Sequence, residues 1–418
     1  MNKSKKYILT IVSTIALSIG TIQAQNLKFG FELDNKNSVV SIPFELKNNL
    51  ILVNVVLEGV IPLKFIVDTG VSSTVLIERE FADIIGLKSD RSITLVGAAG
   101  MREVEAFIIN QVSVNLEGIS GYNIPMMVLK EDYLNLDSSL GVKVHGILGY
   151  DLFKNFIVNI NYASRNLYFY SHEKFRKPLW FYDEIPLSVE GTKPYVYKEV
   201  TMDNGEKLKS KLMIDTGASH SLMLHSSSDE KISLPQKTIR DVLGAGIAGK
   251  IEGDVGRVKA LEIYDKLTLE NVITRFPDKG TYSDVIEGTQ RNGTIGGGVL
   301  HRLNVYFNYK DELLYVKKNR GAKKKFKYDM SGMSVVAKGE LFLQPYYEIE
   351  RIRPETPAAR AGVKEKDLLL SLNGYKGESL DLSKIHEILT TKAGKKIRMV
   401  VKRGDEKIVF DFRLEASI

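Results

Sequence analysis

Two aspartates stand out because each ends an apolar run and opens the same short turn. Asp68 lies in FIVDTGVSSTVLI and Asp215 in LMIDTGASHSLML, so both are followed by Thr-Gly and then by small residues. A buried carboxylate is costly unless it is paired or has a task. If the two turns meet, the two carboxylates cannot both ionise cheaply, and one keeps a proton. The pair would then offer a general base and a general acid at one pH, as metal-free hydrolysis of an amide requires.

The two turns belong to an internal repeat of the sequence. The offset between the aspartates, 215 − 68 = 147 positions, recurs without adjustment elsewhere in the chain. Further matches at this offset are Gly97 with Gly244, Gly146 with Gly293, Gly149 with Gly296, Asn161-Tyr162 with Asn308-Tyr309, and Leu167-Tyr168 with Leu314-Tyr315. We therefore predict two copies of one unit, at residues 26–170 and 185–317, joined by a short connection that contains two prolines.

The residue pattern of each unit is typical of a mostly β structure. β-Branched residues, partial alternation and the turn signals Asn48-Asn49, Glu58-Gly59 and Asn204-Gly205 predict strands joined by tight turns, and helical signals are short. Each Asp-Thr-Gly therefore follows a strand and opens a turn. Gly70 and Gly217 permit there a backbone conformation that other residues resist.

These motifs resemble the aspartic peptidases of the retropepsin type, present as two fused copies in one chain. The resemblance rests on Asp68-Thr69-Gly70 with Ile147-Leu148-Gly149, and on Asp215-Thr216-Gly217 with Thr294-Ile295-Gly296. It implies two β-barrel lobes in a bilobal, pepsin-like arrangement, with Asp68 and Asp215 as the catalytic residues. It also implies that the apolar-apolar-glycine stretches support the turns, and that Thr69 and Thr216 hydrogen-bond across the lobe interface.

The resemblance assigns the glycine-rich segment of each unit to a flap over the cleft. These segments are Gly97-Ala98-Ala99-Gly100 and Gly244-Ala245-Gly246, where glycine permits a hairpin tip and close approach to a peptide. Val71 and Ala218 follow the turns, at the place where pepsin-like enzymes usually carry Ser or Thr. Fewer hydrogen bonds to the ionised pair should depress its pKa less, so we expect activity at mild rather than strongly acidic pH.

The C-terminal third, residues 334–418, resembles a PDZ domain of the α+β class. Its most specific segment is PETPAARAGVKEKDLLLSLNG, in which Lys366-Asp367 replaces the usual Gly-Asp pair. A PDZ domain binds an extended peptide, frequently a free C-terminus, by adding it to a sheet edge. The resemblance places the peptide-binding backbone near Leu341, Phe342 and Leu343, beyond a basic linker at residues 318–333.

Composition excludes several kinds of chemistry and indicates export. With no cysteine among 418 residues, thiolate catalysis, disulfides and cysteine metal sites are excluded. Residues 1–24 have a lysine-rich start, an apolar core and a small residue at Ala24, which favours a cleaved signal peptide over an uncleaved anchor. Export without disulfides fits a bacterial periplasm or secretion. The net charge of +7, or +4 without the three lysines of the leader, is too mild to indicate nucleic-acid binding.

We therefore predict an exported, single-chain aspartic endopeptidase with a PDZ domain, which needs no metal or cofactor and acts as a monomer. Its partners would be a peptide or protein substrate and a C-terminal peptide ligand of the PDZ domain. One alternative is a non-catalytic, peptide-binding pseudoprotease; loss of one aspartate would be its sign, and neither is lost. Another is pairing of the units between two chains as an obligate dimer, although the equal unit lengths and short connection favour pairing within one chain.

Overall fold

The fold is taken from a computed structural model, which describes residues 27–34, 38–89, 91–96, 103–177, 180–246, 249–339 and 345–418. Three predicted features lie outside these residues: the signal peptide (1–24), the lobe 1 flap residues (97–100) and the PDZ peptide-binding residues (341–343). Within the described ranges, no helix combines the length and the apolar character needed to cross a lipid bilayer.

The first unit, lobe 1, is built mainly from strands. Tight turns join them: Asn48 and Asn49 have φ of 46° and 67°, and Glu58 and Gly59 have φ of 50° and 68°. Two successive left-handed residues are the usual geometry of a two-residue hairpin. The elements are β1 Gly30–Leu33, β2 Val39–Pro43, β3 Glu45–Lys47, β4 Leu50–Leu57, β5 Ile61–Val67, β6 Thr74–Leu76, α1 Arg79–Ile84, β7 Arg91–Val96, β8 Glu103–Leu116, β9 Ile119–Leu129, α2 Leu136–Leu140, β10 Gly146–Leu148, α3 Tyr150–Phe153, β11 Ile157–Asn161 and β12 Asn166–Tyr170. The strands β2 and β12 alternate between core and solvent, whereas β4, β6, β10 and β11 are almost entirely buried.

The second unit, lobe 2, repeats this order of elements from β2 onward, except that its described residues contain no counterpart of α1. Its elements are β13 Asp183–Pro186, β14 Ser188–Glu190, β15 Lys193–Thr201, β16 Lys207–Ile214, β17 Leu222–Leu224, β18 Ile239–Gly246, β19 Gly249–Tyr264, β20 Leu267–Pro277, α4 Ser283–Thr289, β21 Gly293–Ile295, α5 Gly297–Leu300, β22 Leu303–Asn308 and β23 Leu313–Lys318. In each lobe a short strand inserts parallel to the strand that leads to the aspartate. Gly146 lies opposite Phe65 in β5, and Gly293 lies opposite Leu212 in β16.

The two lobes meet in a six-stranded antiparallel sheet with the order β13-β23-β22-β11-β12-β2. At its centre, Asn159 of β11 lies opposite Tyr306 of β22, and these two positions are equivalent in the repeat (306 − 159 = 147). A pseudo-twofold axis therefore passes between them. One hydrophobic core runs continuously through both lobes, so the repeat units pair within the same chain.

The C-terminal domain has a separate hydrophobic core and a five-stranded antiparallel sheet. Its helix α7, Leu382–Leu389, has an Asp381 N-cap, whose side chain accepts a hydrogen bond from the Lys384 N–H. The strand β24 is an edge strand of the sheet and lies near α7. The elements are β24 Met333–Lys338, β25 Tyr346–Ile352, α6 Pro357–Arg360, β26 Leu368–Leu372, α7 Leu382–Leu389, β27 Lys396–Arg403 and β28 Glu406–Arg413, with short 3-10 helices at Arg320–Lys323 and Gly377–Ser379.

Candidate active site

The parallel strand pairs bring the two aspartates to equivalent positions at the lobe interface. Asp68 follows β5, and its N–H donates to the carbonyl of Leu148 in β10 at 2.9 Å. Asp215 follows β16, and its N–H donates to the carbonyl of Ile295 in β21, also at 2.9 Å. The predicted supporting stretches therefore hold the backbone of both turns directly.

Two threonines tie the turns together across the interface. The Thr69 N–H donates to Thr216 Oγ1 at 3.0 Å, and the Thr216 N–H donates to Thr69 Oγ1 at 3.1 Å. Each hydroxyl also donates to a carbonyl of the opposite lobe, Thr69 to Ile214 at 2.7 Å and Thr216 to Val67 at 2.8 Å. Both threonines are fully buried, so these hydrogen bonds form without competition from water. The cross-interface contact that the resemblance implies is present in the structure.

The two carboxyl groups meet between these turns, and each packs against the turn glycine of the other lobe. Asp68 Oδ1 accepts the Gly70 N–H at 2.6 Å, and Asp215 Oδ1 accepts the Gly217 N–H at 2.9 Å. The Asp68 side chain is only 8% exposed. Each carboxylate therefore has a fixed position, set by the turn that carries it and by its partner.

The four turn and support glycines are required by close packing rather than by a left-handed backbone. A Cβ on Gly70 would lie 2.8 Å from the Asp215 carboxyl carbon, and a Cβ on Gly217 would overlap the Asp68 carboxyl group. A Cβ on Gly149 would lie 2.6 Å from the Val71 carbonyl oxygen. In lobe 2, a Cβ on Gly296 would lie 2.7 Å from the carbonyl oxygen of Ala218.

Burial and the neighbouring charge keep a proton on the pair. The pKa of Asp68 is raised well above its ordinary value, first by burial and then by the charge of Asp215. Burial also raises the pKa of Asp215, but the hydrogen bond from Asp68, the Gly217 N–H and two nearby cations oppose this rise. Since the pKa of both groups is raised, the pair keeps one proton shared between its two carboxyl groups at a pH where isolated aspartates are ionised.

The two cations are Arg291 and Lys193, which the sequence analysis did not single out. The Lys193 ammonium group donates to the carbonyl oxygen of Gly70, and its charge lowers the pKa of both Asp68 and Asp215. No short motif surrounds either cation, so only the strand pairing of the folded chain could have identified them.

The flap segment of lobe 2 lies in a long hairpin made by β18 and β19. Gly244, Ala245 and Gly246 end β18, where they pair with Ile251, Lys250 and Gly249 across a register shift. In lobe 1 the equivalent strands β7 and β8 pair antiparallel. The predicted flap residues Gly97, Ala98, Ala99 and Gly100 follow β7 and lie outside the described residues.

A buried charge network attaches the C-terminal domain to the lobe 2 hairpin. Asp241 in β18 binds the guanidinium groups of Arg351 and Arg353, the latter at 2.9 Å, and accepts the Tyr328 hydroxyl at 2.6 Å. Arg353 also binds Asp329 at 2.6 Å. The C-terminal domain is therefore joined to the strand that leads to the flap segment.

Lobe 1 also contacts the C-terminal domain, at the edge strand β24. The helix α2 packs against β24, and Gly141, directly after α2, faces Leu382 of α7 and Ala337 of β24. The predicted peptide-binding residues Leu341, Phe342 and Leu343 lie outside the described residues.

One acidic group outside the dyad has the spacing of a cation site. Oxygen atoms of Glu78, Asp132 and Asp137 lie within 4.8 Å of one another. The Lys143 ammonium group binds two of these carboxylates, Asp137 at 2.9 Å and Glu78 as well, and so already balances their charge. This group carries no assignment as a metal site.

Replacing Gly217 with alanine should reduce peptide cleavage by about 100-fold or more, since a misplacement of about 1 Å at a reacting group has that cost. The added methyl group would displace the Asp68 carboxyl group from its partner. The measurement is kcat/KM on one peptide, with thermal unfolding recorded in parallel. Gly288→Ala is the matched control, because a Cβ at this exposed position in α4 meets nothing within 4 Å. Wild-type kcat/KM in Gly217→Ala would contradict the packing argument.

Comparison with known families agrees with this geometry. A family model described as aspartyl protease matches residues 53–152 and again residues 199–298, and a PDZ domain model matches residues 348–403. No curated protein sequence matches the chain. The crystal structure of Basic 7S globulin from soybean aligns with a TM-score of 0.40 at 8% sequence identity, covering 69% of this chain and 99% of that one.

The fold class predicted from the sequence is confirmed, with two sheet-rich protease lobes followed by a PDZ domain. The protease domains indicate a protease-type function with a peptide substrate, and the PDZ domain indicates peptide binding. The chain thus contains two retropepsin-like aspartyl protease domains, which share one lobe interface, and a C-terminal PDZ domain.

Proposed function

We propose that the chain is an exported aspartic endopeptidase that hydrolyses peptide bonds with Asp68, Asp215 and one water molecule. The observation that carries the proposal is the pair of carboxyl groups brought together at the lobe interface, each packed against the turn glycine of the other lobe and held by the Thr69–Thr216 hydrogen bonds. A general acid and a general base side by side are what direct attack of water on an amide requires.

The reaction starts from the state in which Asp68 holds the shared proton and Asp215 is charged. Asp215 removes a proton from the water while its oxygen attacks the carbonyl carbon, and Asp68 gives its proton to the carbonyl oxygen. The tetrahedral intermediate then breaks its C–N bond as the nitrogen takes the proton from Asp215. Asp68 regains a proton from the collapsing diol, so the pair returns to its starting state. The glycine N–H groups and the threonine lock keep both carboxylates in place throughout.

The experiment is incubation of the purified mature chain with a mixture of peptides at a series of pH values between about pH 3 and pH 8. Mass spectrometry of the products would identify cleaved bonds. Cleavage within peptide interiors, insensitive to metal chelators, supports the proposal. Absence of cleavage throughout this range would leave the peptide-binding pseudoprotease as the better description.

Three further parts of the proposal concern location, assembly and the PDZ domain. Export to a bacterial periplasm or secretion is supported by the pattern of residues 1–24, and cell fractionation with N-terminal sequencing tests it. Action as a monomer is supported because both aspartates come from one chain. Binding of a C-terminal peptide by the PDZ domain is tested by comparing peptides that end in a free carboxylate or in an amide.

Lys193→Met should move the pH profile of cleavage to higher pH. The Lys193 charge lowers the pKa of both aspartates. Without this charge, both proton losses of the pair, the first and the second, should occur at higher pH. The measurement is kcat/KM against pH with an uncharged peptide. Lys198→Met, on the same strand, is the control, because the nearby charges there are Glu262 and Asp265. A shift to lower pH, or an equal shift in both variants, would contradict this role.

A further inference from the structure

The turn that carries each aspartate rests on a cluster of side chains, and lobe 1 fills this cluster with apolar groups. Leu50, Ile66, Ile77 and Val144 are between 1% and 4% exposed and pack together beside the strand that ends at Asp68. Closed apolar packing is the expected content of a core position. Lobe 1 therefore shows what the repeat unit places there when the cluster has a structural role.

Lobe 2 places a lysine, a histidine and an arginine at three of these four positions. The equivalences follow from strand register and from matched backbone hydrogen bonds: the His225 N–H donates to the Asn292 carbonyl at 2.9 Å, as the Ile77 N–H does to the His145 carbonyl at 2.8 Å. They relate Leu50 to Lys193, Ile66 to Met213, Ile77 to His225 and Val144 to Arg291. We call Lys193, His225, Arg291 and the adjoining Tyr282 the basic cluster.

Arg291 lacks the acceptors that other buried arginines have. Its side chain is 8% exposed, its hydrogen bond within the described residues goes to the Met213 sulfur at 3.1 Å, and its Nε atom has no partner there. Arg302, equally buried, donates to the carbonyl oxygens of Gly298 and Gly321 at 3.0 and 2.9 Å, and Arg353 binds two aspartates. Burying a guanidinium group without an oxygen acceptor is costly. The N–H groups of Arg291 are therefore able to donate to the oxygen atoms of a bound ligand.

The histidines of this region do not balance the charge of Arg291. Burial lowers the pKa of both His225 and His220 to about 3, so both are neutral, and the Nε2 atom of each is buried without a partner among the described residues. The Tyr282 ring lies 4.8 Å from the His225 ring and 5.9 Å from the Arg291 guanidinium carbon. Among the described residues, the charged groups near Arg291 are the cation Lys193 and Asp215 of the dyad.

The basic cluster adjoins the dyad on its lobe 2 side. Lys193 bonds to the carbonyl of Gly70, two residues after Asp68, and Met213, which contacts Arg291, lies two residues before Asp215. A ligand at the cluster would therefore lie next to a peptide held at the carboxylate pair.

We propose that the basic cluster is an anion subsite, in which Arg291 and Lys193 bind a carboxylate of the peptide substrate beside the scissile bond. The proposal rests on the peptidase function proposed above and names its substrate class: peptides with an acidic residue, or a chain-terminal carboxylate, on the lobe 2 side of the cut. A guanidinium and an ammonium group bind a carboxylate with charge-assisted hydrogen bonds, which a neutral amide cannot replace.

The test uses pairs of peptides that differ only by Glu or Gln at each position flanking the cleaved bond. Wild type should prefer Glu at one position by roughly 10- to 100-fold in kcat/KM, as expected for one or two hydrogen bonds to a charged group. The same peptides with an acid or an amide at the C-terminus separate the two carboxylate sources. If kcat/KM is higher for the peptide with a C-terminal acid than for the amide, the subsite binds the chain terminus. If kcat/KM is higher for Glu than for Gln, the subsite binds a side-chain carboxylate.

Variants connect the preference to the cluster. Arg291→Met should bring the Glu/Gln ratio close to one, whereas Arg291→Lys, which keeps the charge, should retain part of the preference. Arg398→Met, at an exposed arginine of the C-terminal domain, is the control and should keep the wild-type ratio. If Arg291→Met does not fold, as judged by thermal unfolding, Lys193→Met supplies the same comparison.

The outcomes separate this proposal from the peptidase function. Cleavage by wild type with a Glu/Gln ratio near one at every position, and no effect of a terminal acid, overturns the subsite while the peptidase function stands. An unchanged ratio in a folded Arg291→Met variant overturns it equally. Cleavage of no peptide at all overturns the peptidase function itself.

Discussion

Asp68→Asn and Asp215→Asn should each reduce peptide cleavage by about 10⁴-fold, the upper range for loss of a general acid or base. Asn at position 68 imitates the protonated carboxyl group: its oxygen can accept the Gly70 N–H, and its amide can donate to Asp215. It cannot give up a proton to the carbonyl oxygen. Asn at position 215 keeps the size of the side chain but removes the base. The measurement is kcat for one cleaved peptide in both single variants and in the double variant.

The double variant should be little worse than either single variant, because the two carboxylates act as one unit. Asp405→Asn, on an exposed turn of the C-terminal domain, is the control for the substitution itself and should keep wild-type kcat. Both dyad variants should unfold at or above the wild-type temperature at neutral pH. Burial disfavours the charged form of each aspartate, and Asn has no charge to bury. Full activity in either single variant would contradict the dyad mechanism.

The dyad could be predicted from the sequence because the repeat carries it as a unit. The strand that ends at Asp68 needs a parallel neighbour, and Gly146 can lie opposite Phe65 only if its own side chain is absent, since a Cβ there would overlap the Phe65 ring. The same requirement applies in lobe 2. The spacing between the aspartate turn and its supporting strand is therefore under the same steric constraint in both units. This constraint explains why the two motifs recur at a fixed offset in the sequence.

The offset of 147 positions does not hold directly after the Asp-Thr-Gly turn, because lobe 2 has one extra residue there. Gly146 lies opposite Leu76, but Gly293 lies opposite Leu224, an offset of 224 − 76 = 148 instead of 147. The true counterpart of His225 is therefore Ile77 rather than Glu78. Because the shift is visible only in the strand register, a comparison of sequence positions could not show that a buried histidine replaces a core isoleucine.

The basic cluster could not be predicted from the sequence, for a similar physical reason. Lys193 and Arg291 stand in strands and loops with no short motif, and lysines and arginines are common on solvated surfaces. Arg291 is buried beside Met213, and this packing is a tertiary contact. The attachment of the PDZ domain to the lobe 2 hairpin was likewise not predictable, because the charges that form it come from segments about 110 residues apart, as in the Arg351–Asp241 pair.

Asp241→Asn should lower the free energy of unfolding by about 3 kcal/mol, the cost of removing one partner from a buried ion pair. The substitution keeps the side-chain volume but leaves Arg351 without its carboxylate partner and Arg353 with Asp329 alone. Asp278→Asn is the matched control, because Asp278 binds Arg240 near the same hairpin but at an exposed position. A surface pair of this kind contributes about 1 kcal/mol at most. Denaturant unfolding of the full chain measures both.

A double-mutant cycle with Arg351→Met distinguishes the charge network from simple loss of packing. Removing both charges should recover part of the stability lost in Asp241→Asn, because no uncompensated guanidinium remains at the first position. Limited proteolysis of the segment between lobe 2 and the PDZ domain gives a second measurement, and Asp241→Asn should be cut faster there than Asp278→Asn. Additive losses in the cycle would contradict the network. Asp241 lies in the strand that leads to the lobe 2 flap segment and binds Arg351 of the PDZ domain. Coupled losses of stability would therefore mean that the position of the PDZ domain and the order of this strand depend on the same buried charge.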